Sequence, residues 1–222
     1  MIKLLATAMS VFLILISSAT FPRNAMAQDT LHDAAQRNSV KDVRQLLSTG
    51  NNTEARDQSG STALLVAARA NAIDAARTLI EAGADVNAKD SINDSAYLYS
   101  GARGHLDILK MTLAHGADLK STNRYGGTAL IPAAERGHVE TVRALIKAGV
   151  AVDHINNLGW TALLEAIILG RGGEPHQQIV NILLEAGANP NLADRDGVTP
   201  LQHARTHGYH KIEQSLLAAG AQ

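Results

Sequence analysis

The sequence predicts an all-α solenoid of six helix-turn-helix repeats with projecting hairpin loops. The first observation behind this prediction is a glycine that follows each apolar, helix-like segment. These glycines recur every 33 residues, with a single interval of 38. A fixed period of this length is typical of solenoid proteins, in which each repeat packs only on its neighbours. The glycines are Gly50, Gly83, Gly116, Gly149, Gly187 and Gly220.

Two further series with the same period predict where the helices begin and end. A Gly or Asn separates the two helices of each repeat, and these residues best tolerate the left-handed backbone that a tight stop requires. A Ser or Thr precedes the first helix, where its hydroxyl caps free backbone N–H groups. In the first repeat we expect Asp29 at that position. The two series are Asn38, Asn71, Gly104, Gly137, Gly170, Gly208 and Thr62, Ser95, Thr128, Thr161, Thr199.

The period defines one domain over residues 28–222. Its fifth repeat contains a five-residue insertion, 171–175, that accounts for the interval of 38. We interpret this insertion as a longer loop between the two helices of that repeat. The predicted repeats are approximately 28–56, 57–89, 90–122, 123–155, 156–193 and 194–222.

Three stretches of the chain resemble the ankyrin repeat: "GSTALLVAARANAIDAARTLIEAGADVNAKD", "GTALIPAAERGHVETVRALIKAG" and "GVTPLQHARTHGYHKIEQSLLAAGA". The resemblance covers all six repeats. It implies an L-shaped stack whose concave face is lined by the first helix of each repeat and by the hairpin tips. Proteins of this family usually bind other proteins through that face.

Residues 1–27 have the features of a secretory signal. Lys3 is followed by an apolar run over 4–19, and Ala25 and Ala27 offer the small residues that signal peptidase recognises. The alternative is a membrane anchor, but sixteen residues of helix span only about 24 Å of a hydrocarbon core of about 30 Å. We therefore expect cleavage after Ala27, a periplasmic or secreted protein, and no membrane contact after cleavage.

Composition argues against several classes of function. The chain has 20 basic and 21 acidic side chains, so it lacks the excess of positive charge that nucleic-acid binding requires. It contains no cysteine, no HExxH or GxSxG motif and no phosphate-binding loop. We expect a non-catalytic protein without a cofactor.

Histidines suggest an alternative function, and a passive scaffold without a stoichiometric partner is a further one. His105, His138 and His176 follow the turn between helices, where the resemblance implies a structural hydrogen-bonding role. The last repeat differs, because three histidines fall close together there at a spacing that suits a transition metal. An alternative interpretation is therefore a metal or small-ligand binding protein that uses His203, His207 and His210.

Large aromatic residues predict where a partner protein would bind. In repeats three to five they fall at positions that ankyrin repeats leave variable and exposed, and exposed aromatic residues and arginines dominate binding hot spots. The alternative is that Trp160 only packs over a neighbouring hairpin. The predicted patch comprises Tyr99, Tyr125 and Trp160 with a polar rim of Arg103, Arg124, Glu135, Arg136 and Glu165.

The resemblance extends to exported bacterial ankyrin-repeat proteins. It implies two roles, support of catalase in oxidative-stress defence or neutralisation of a toxin by an immunity-type protein. We expect the partner to be another protein and the free chain to be a monomer.

Overall fold

The computed structural model describes residues 30–222, which form twelve helices and no strand. The helices occur in six consecutive pairs, as the repeat period predicts. They are α1 (Leu31–Gln36), α2 (Val40–Ser48), α3 (Ala63–Ala70), α4 (Ile73–Glu81), α5 (Ala96–Arg103), α6 (Leu106–Ala114), α7 (Leu130–Glu135), α8 (Val139–Ala148), α9 (Ala162–Ile168), α10 (Glu174–Glu185), α11 (Pro200–Thr206) and α12 (His210–Ala218).

The pairs stack into two layers. The odd-numbered helices contact one another in chain order and form the inner layer, and the even-numbered helices form the outer layer in the same way. Buried alanines and leucines fill the space between layers and between repeats, as in the inner helix α3, where Leu64, Leu65 and Ala68 are fully buried. The predicted all-α solenoid of six repeats is therefore confirmed.

Hydroxyl caps begin four of the inner helices as predicted. Thr62, Ser95 and Thr161 each accept a hydrogen bond from the backbone N–H three residues later, and Thr199 does the same within a capping box. In the first repeat the cap is Thr30, which forms a capping box with Asp33. The predicted cap Asp29 lies outside the described residues.

Thr128 is the exception, because it does not cap α7. In the other repeats the fourth residue after the cap donates its N–H to the carbonyl of the cap, as Val66 does to Thr62. Pro132 holds that position after Thr128 and has no N–H to donate. The N–H of Ile131 bonds to the Thr128 carbonyl instead, at 3.3 Å, and the buried Thr128 hydroxyl has no hydrogen-bond partner.

The insertion in repeat five differs from the predicted loop. Its last two residues, Glu174 and Pro175, form the first turn of α10, which is why this helix is the longest at 12 residues. The left-handed residue between the helices is Gly172, with φ +63°, and not Gly170 as predicted. The extra residues move the left-handed turn two residues further along the chain. Gly170 is still required after α9, because a Cβ at this position would lie 1.9 Å from the Ala166 carbonyl oxygen.

Each hairpin loop is closed by an Asp or Asn at one repeat position. The side chain accepts hydrogen bonds from the backbone N–H groups two and four residues later, which folds a tight turn at the tip. Neighbouring tips are joined directly, as by the N–H of Asn157 to the Tyr125 carbonyl at 2.9 Å. The closing residues are Asp57, Asp90, Asn123, Asn156 and Asp194.

No helix within 30–222 is long and apolar enough to cross a membrane. The predicted signal segment, 1–27, lies outside the described residues. Its cleavage and the export of the chain therefore stay predictions.

Candidate functional site

A groove runs between the inner helices and the hairpins of repeats three to five, with a volume of about 260 Å³. We call it the central groove. It is built from the same few repeat positions in three successive repeats, namely the middle and the end of the inner helix and the tip of the hairpin. Its lining residues are Asp94, Tyr99, Ala102, Arg103, Asn123, Arg124, Tyr125, Gly127, Ile131, Pro132, Glu135, Arg136, Asn156, Leu158, Glu165 and Leu169.

The structure brings seven of the eight predicted partner-binding residues into this groove, all except Trp160. Trp160 is half-buried, and its N–H donates to Asn156 Oδ1 at 3.0 Å, so its backbone closes the base of a hairpin. Trp160 does not line the groove, although its sequence position suggested that it would.

Tyr99 forms the wall of the groove at repeat three. The guanidinium of Arg69 lies 5.7 Å from the centre of its ring, and that of Arg103 lies 5.5 Å away. Both distances are within the range of a cation–π interaction. Arg69 also pairs with the buried carboxylate of Asp90, which anchors this wall to the hairpin, whereas Arg103 is exposed.

Glu165 differs from the prediction that it is exposed, because it is a buried residue at the floor of the groove. Its Oε1 accepts a hydrogen bond of 2.7 Å from Nδ2 of Asn156, whose Oδ1 in turn closes the hairpin. Burial, and next the nearby charge of Glu135, raises the pKa of Glu165 to about 7. Near neutral pH this carboxyl is consequently divided between its neutral and its ionised form.

The hairpin tips give the groove an apolar edge that the sequence interpretation did not include. Ile92, Tyr125 and Leu158 occupy the same tip position in repeats three, four and five, and they are 43%, 54% and 50% exposed. Tyr125 and Leu158 line the groove, and Ile92 continues the row beyond it. In the flanking repeats the same position holds the polar residues Ser59 and Asp196. Alignment of the hairpins by their closing Asp or Asn would have revealed this stripe.

Positive charge dominates the solvent side of the groove. Arg103, Arg124 and Arg136 are exposed, and the Arg124 guanidinium lies 4.7 Å from the centre of the Tyr125 ring. Arg136 donates to the Ala102 carbonyl at 2.6 Å, which ties repeat four to repeat three.

The carboxyl groups of the groove lie deeper than the arginines. Glu135 and Asp94 are half-buried and Glu165 is buried. Burial, and then the charge of Asp90, raises the pKa of Asp94. The exposed surface thus carries cations above a less accessible layer of acids.

A second recess of about 440 Å³ continues the central groove toward the insertion of repeat five. It shares Glu135, Arg136 and Leu169 with the groove and adds Arg171 and His176. The His176 ring donates from Nε2 to the Glu135 carbonyl at 2.9 Å, so it has the predicted structural role. His105 has the same role toward the Ala68 carbonyl.

The three histidines proposed as an alternative metal site do not converge. His203 Nε2 lies 2.7 Å from Asp194 Oδ2, and the ring of His207 stacks on Tyr209. His210 lies 3.8 Å from Glu213 on an exposed surface. Within residues 30–222, no group of three or more His, Asp or Glu side chains is placed to hold a metal ion. The four-residue spacing of His203 and His207 is not enough to form a metal site, because each ring contacts a different neighbour.

A stacked helical scaffold with an open, three-repeat groove defines a binding protein of the solenoid class. Such surfaces are extended rather than enclosed, and they suit macromolecular partners better than small substrates.

Comparison with known proteins identifies the family. The family model described as ankyrin repeats (3 copies) matches residues 6–90 and 97–194, which is more than half of the chain. The chain therefore belongs to the ankyrin-repeat family, as the sequence resemblance predicted. Proteins of this family typically are not catalysts and generally mediate protein–protein binding.

Two solved structures are similar over most of the chain. One is an ankyrin repeat domain from Acinetobacter baumannii AYE, with 70% sequence identity and a TM-score of 0.84 over 86% of this chain and 98% of that one. The other is the ankyrin repeat protein EF0377, with 42% identity and a TM-score of 0.81 over 84% of this chain and 96% of that one.

A curated relative matches a shorter part. The ankyrin repeat protein YahD of Escherichia coli (strain K12) is 54% identical over 57 residues. The match covers 26% of this chain and 28% of YahD.

Proposed function

We propose that the chain is a non-catalytic protein-interaction module that binds its partner in the central groove of repeats three to five. The single observation that carries this proposal is the concentration of exposed aromatic, aliphatic and arginine side chains there. Tyr125 and Leu158 are each about half exposed, and Arg103 and Arg124 stand beside the tyrosine rings. Exposing such side chains in water is unfavourable, and this combination is enriched where proteins bind each other.

Site-specific photo-crosslinking in the producing cell tests the proposal. A photoreactive phenylalanine analogue is placed at Tyr125, at the edge of the groove, and in a second strain at Lys110, which is exposed on the outer helix α6. We expect one protein to crosslink at Tyr125 and not at Lys110. Equal crosslinking from both positions, or none from Tyr125, would refute the assignment of the groove.

We also propose that the protein acts after export, in the periplasm or outside the cell. The support is the sequence of residues 1–27, with its positive start, apolar run and small residues before the cleavage position. Cell fractionation and N-terminal sequencing of the accumulated protein test this directly. We expect a first residue of Gln28, and an intact N-terminus in the cytoplasmic fraction would contradict it.

The resemblance to exported bacterial ankyrin-repeat proteins suggests the role of this protein in the cell. We propose that the module supports either oxidative-stress defence through catalase or immunity to a toxin. Deleting the gene and measuring survival in hydrogen peroxide distinguishes the two. Loss of survival that is restored by the wild-type chain, and not by a chain with Tyr125→Ser and Leu158→Ser, supports the first role. Unchanged survival would exclude it.

A further inference from the structure

The central groove has a chemical character that restricts which partners it fits. This inference rests on the proposed function and concerns the kind of segment that the groove accepts. Three features matter, namely the charge of its exposed side chains, the unused hydrogen-bond donor on its floor, and the apolar stripe along its edge.

The exposed charges around the groove and the adjoining recess are all positive. The four arginines concerned are exposed, and none of their guanidinium groups forms a salt bridge with a carboxylate of residues 30–222. The whole chain carries a net charge of −1, so this concentration of cations is local. A guanidinium that is not paired in a salt bridge offers charge-assisted hydrogen bonds to a carboxylate from another molecule. The four are Arg103, Arg124, Arg136 and Arg171.

Asn123 adds a hydrogen-bond donor beside these arginines. The residues equivalent to Asn123 in repeats three, five and six are Asp90, Asn156 and Asp194. In each of them one side-chain atom closes the hairpin and the other bonds to a second side chain, as Asn156 Nδ2 does to Glu165. In repeat four, Pro132 holds the helix position that Glu165 holds in repeat five, and proline has no side-chain acceptor. Among the described residues Asn123 Nδ2 has no hydrogen-bond partner, so it is available to a ligand.

The hairpin tips supply the apolar part of the surface. Ile92, Tyr125 and Leu158 form a stripe that follows the direction of the stack across three repeats, and polar tips end it on both sides. A ligand that lies along the groove would therefore place apolar side chains on this stripe and carboxylates toward the arginines.

We infer that the central groove binds an extended segment of a partner protein in which acidic side chains stand next to apolar ones. An extended segment alternates its side chains between two directions, which matches a surface with cations on one side and an apolar stripe on the other. A nucleic acid would also meet the arginines, and Tyr125 could stack on one base. However, the other two exposed tips, Ile92 and Leu158, are aliphatic and cannot continue the stacking, and the chain has no general excess of basic residues.

Selection of random peptides displayed on phage tests the inference. The protein is expressed from the full sequence, purified and used to select binding peptides at neutral pH. In parallel, the same library is selected on the double variant Arg103→Gln, Arg124→Gln. We expect peptides enriched in Asp or Glu beside aromatic or aliphatic residues from the wild type and no such enrichment from the variant.

An enriched peptide is then synthesised and its affinity measured by fluorescence anisotropy. We expect Arg103→Gln with Arg124→Gln, and separately Leu158→Ser, to weaken binding at least about tenfold. The matched control is Arg77→Gln with Arg143→Gln, which removes the same charge from the exposed side of the outer helices. This control is expected to retain wild-type affinity, and circular dichroism verifies that every variant is folded.

Several outcomes would overturn the inference. They are enrichment of neutral or basic peptides, equal binding of acidic peptides to the arginine variant, and displacement of the peptide by a single-stranded oligonucleotide that binds more tightly. If photo-crosslinking at Tyr125 captures a partner while the selected peptides show no preference for acids, the proposed function stands and only this inference fails. If neither experiment detects binding that depends on the groove, both fail.

Discussion

Replacing Glu165 by Gln should abolish a pH-dependent loss of stability that the wild type suffers near neutral pH. The carboxyl is 6% exposed, and its pKa is raised from an ordinary value of 4.5 to about 7, first by burial and then by Glu135. Glutamine has nearly the same shape, and its side-chain oxygen still accepts the hydrogen bond from Asn156. The substitution therefore removes the charge and retains the geometry.

The sign and size of the effect follow from the two pKa values. Between pH 4.5 and about 7 the folded chain holds a proton on Glu165 that the unfolded chain has lost, so the free energy of unfolding falls as pH rises through this range. A pKa difference of this size lowers the free energy of unfolding of the wild type by about 3 kcal/mol at pH 8 and by less than about 1 kcal/mol at pH 5. For a chain of this length, about 3 kcal/mol amounts to a difference in melting temperature on the order of 5–10 °C.

Thermal unfolding followed by circular dichroism measures this difference. We expect Glu165→Gln to melt above the wild type at pH 8 and close to it at pH 5. The control is Glu140→Gln, which removes the same charge from an exposed position on the outer helix α8, with a side chain 70% exposed. If Glu165→Gln and Glu140→Gln show the same dependence on pH, the buried carboxyl is not the cause and the reasoning is refuted.

Two further predictions concern the repeat framework and are measured by chemical denaturation. Thr128→Val should leave stability unchanged or increase it, because the buried hydroxyl has no hydrogen-bond partner. Thr62→Val should lower the free energy of unfolding by about 1 kcal/mol, because it removes a helix cap. Equal losses would contradict the conclusion that Thr62 caps its helix and Thr128 does not. Gly172→Ala should cost clearly more than Gly208→Ala, which costs about 1 kcal/mol for its left-handed backbone alone. Only at Gly172 would the added Cβ also meet the Tyr209 ring, at 2.3 Å, so similar losses at both glycines would show that this contact is unimportant.

The sequence was sufficient to predict the architecture because stacking repeats impose the same requirements at fixed intervals. The left-handed glycines after the second helices all have positive φ, from +83° at Gly116 to +96° at Gly149. The Ser and Thr residues that cap the inner helices likewise recur at one position of the repeat. The prediction was wrong where a local residue changes the pattern, as Pro132 does by removing an N–H and as the insertion does by moving the left-handed turn from Gly170 to Gly172.

The location of the candidate site could be predicted, but the depth of its residues could not. Periodicity places Tyr99, Glu135 and Glu165 on the same side of the stack, and the structure does bring them into one groove. Burial depends on how closely a neighbouring hairpin approaches, and that is set by tertiary packing. Glu165 is buried beside Asn156, which bonds to it, and Trp160 is half-buried and does not line the groove.

The groove arises because stacking leaves a few positions of each repeat free to vary. The fourth residue after the cap is one of them, and in successive repeats it is Val66, Tyr99, Pro132, Glu165 and His203. Neighbouring repeats fix the helices on either side of this position, so its side chain changes the surface without changing the fold. In repeats three to five it brings an aromatic ring, a proline and a buried acid into one groove, which the apolar hairpin tips Tyr125 and Leu158 also line. The character of the groove surface is consequently set across repeats, along the stack, whereas stability is set within each repeat and at its interface with the next.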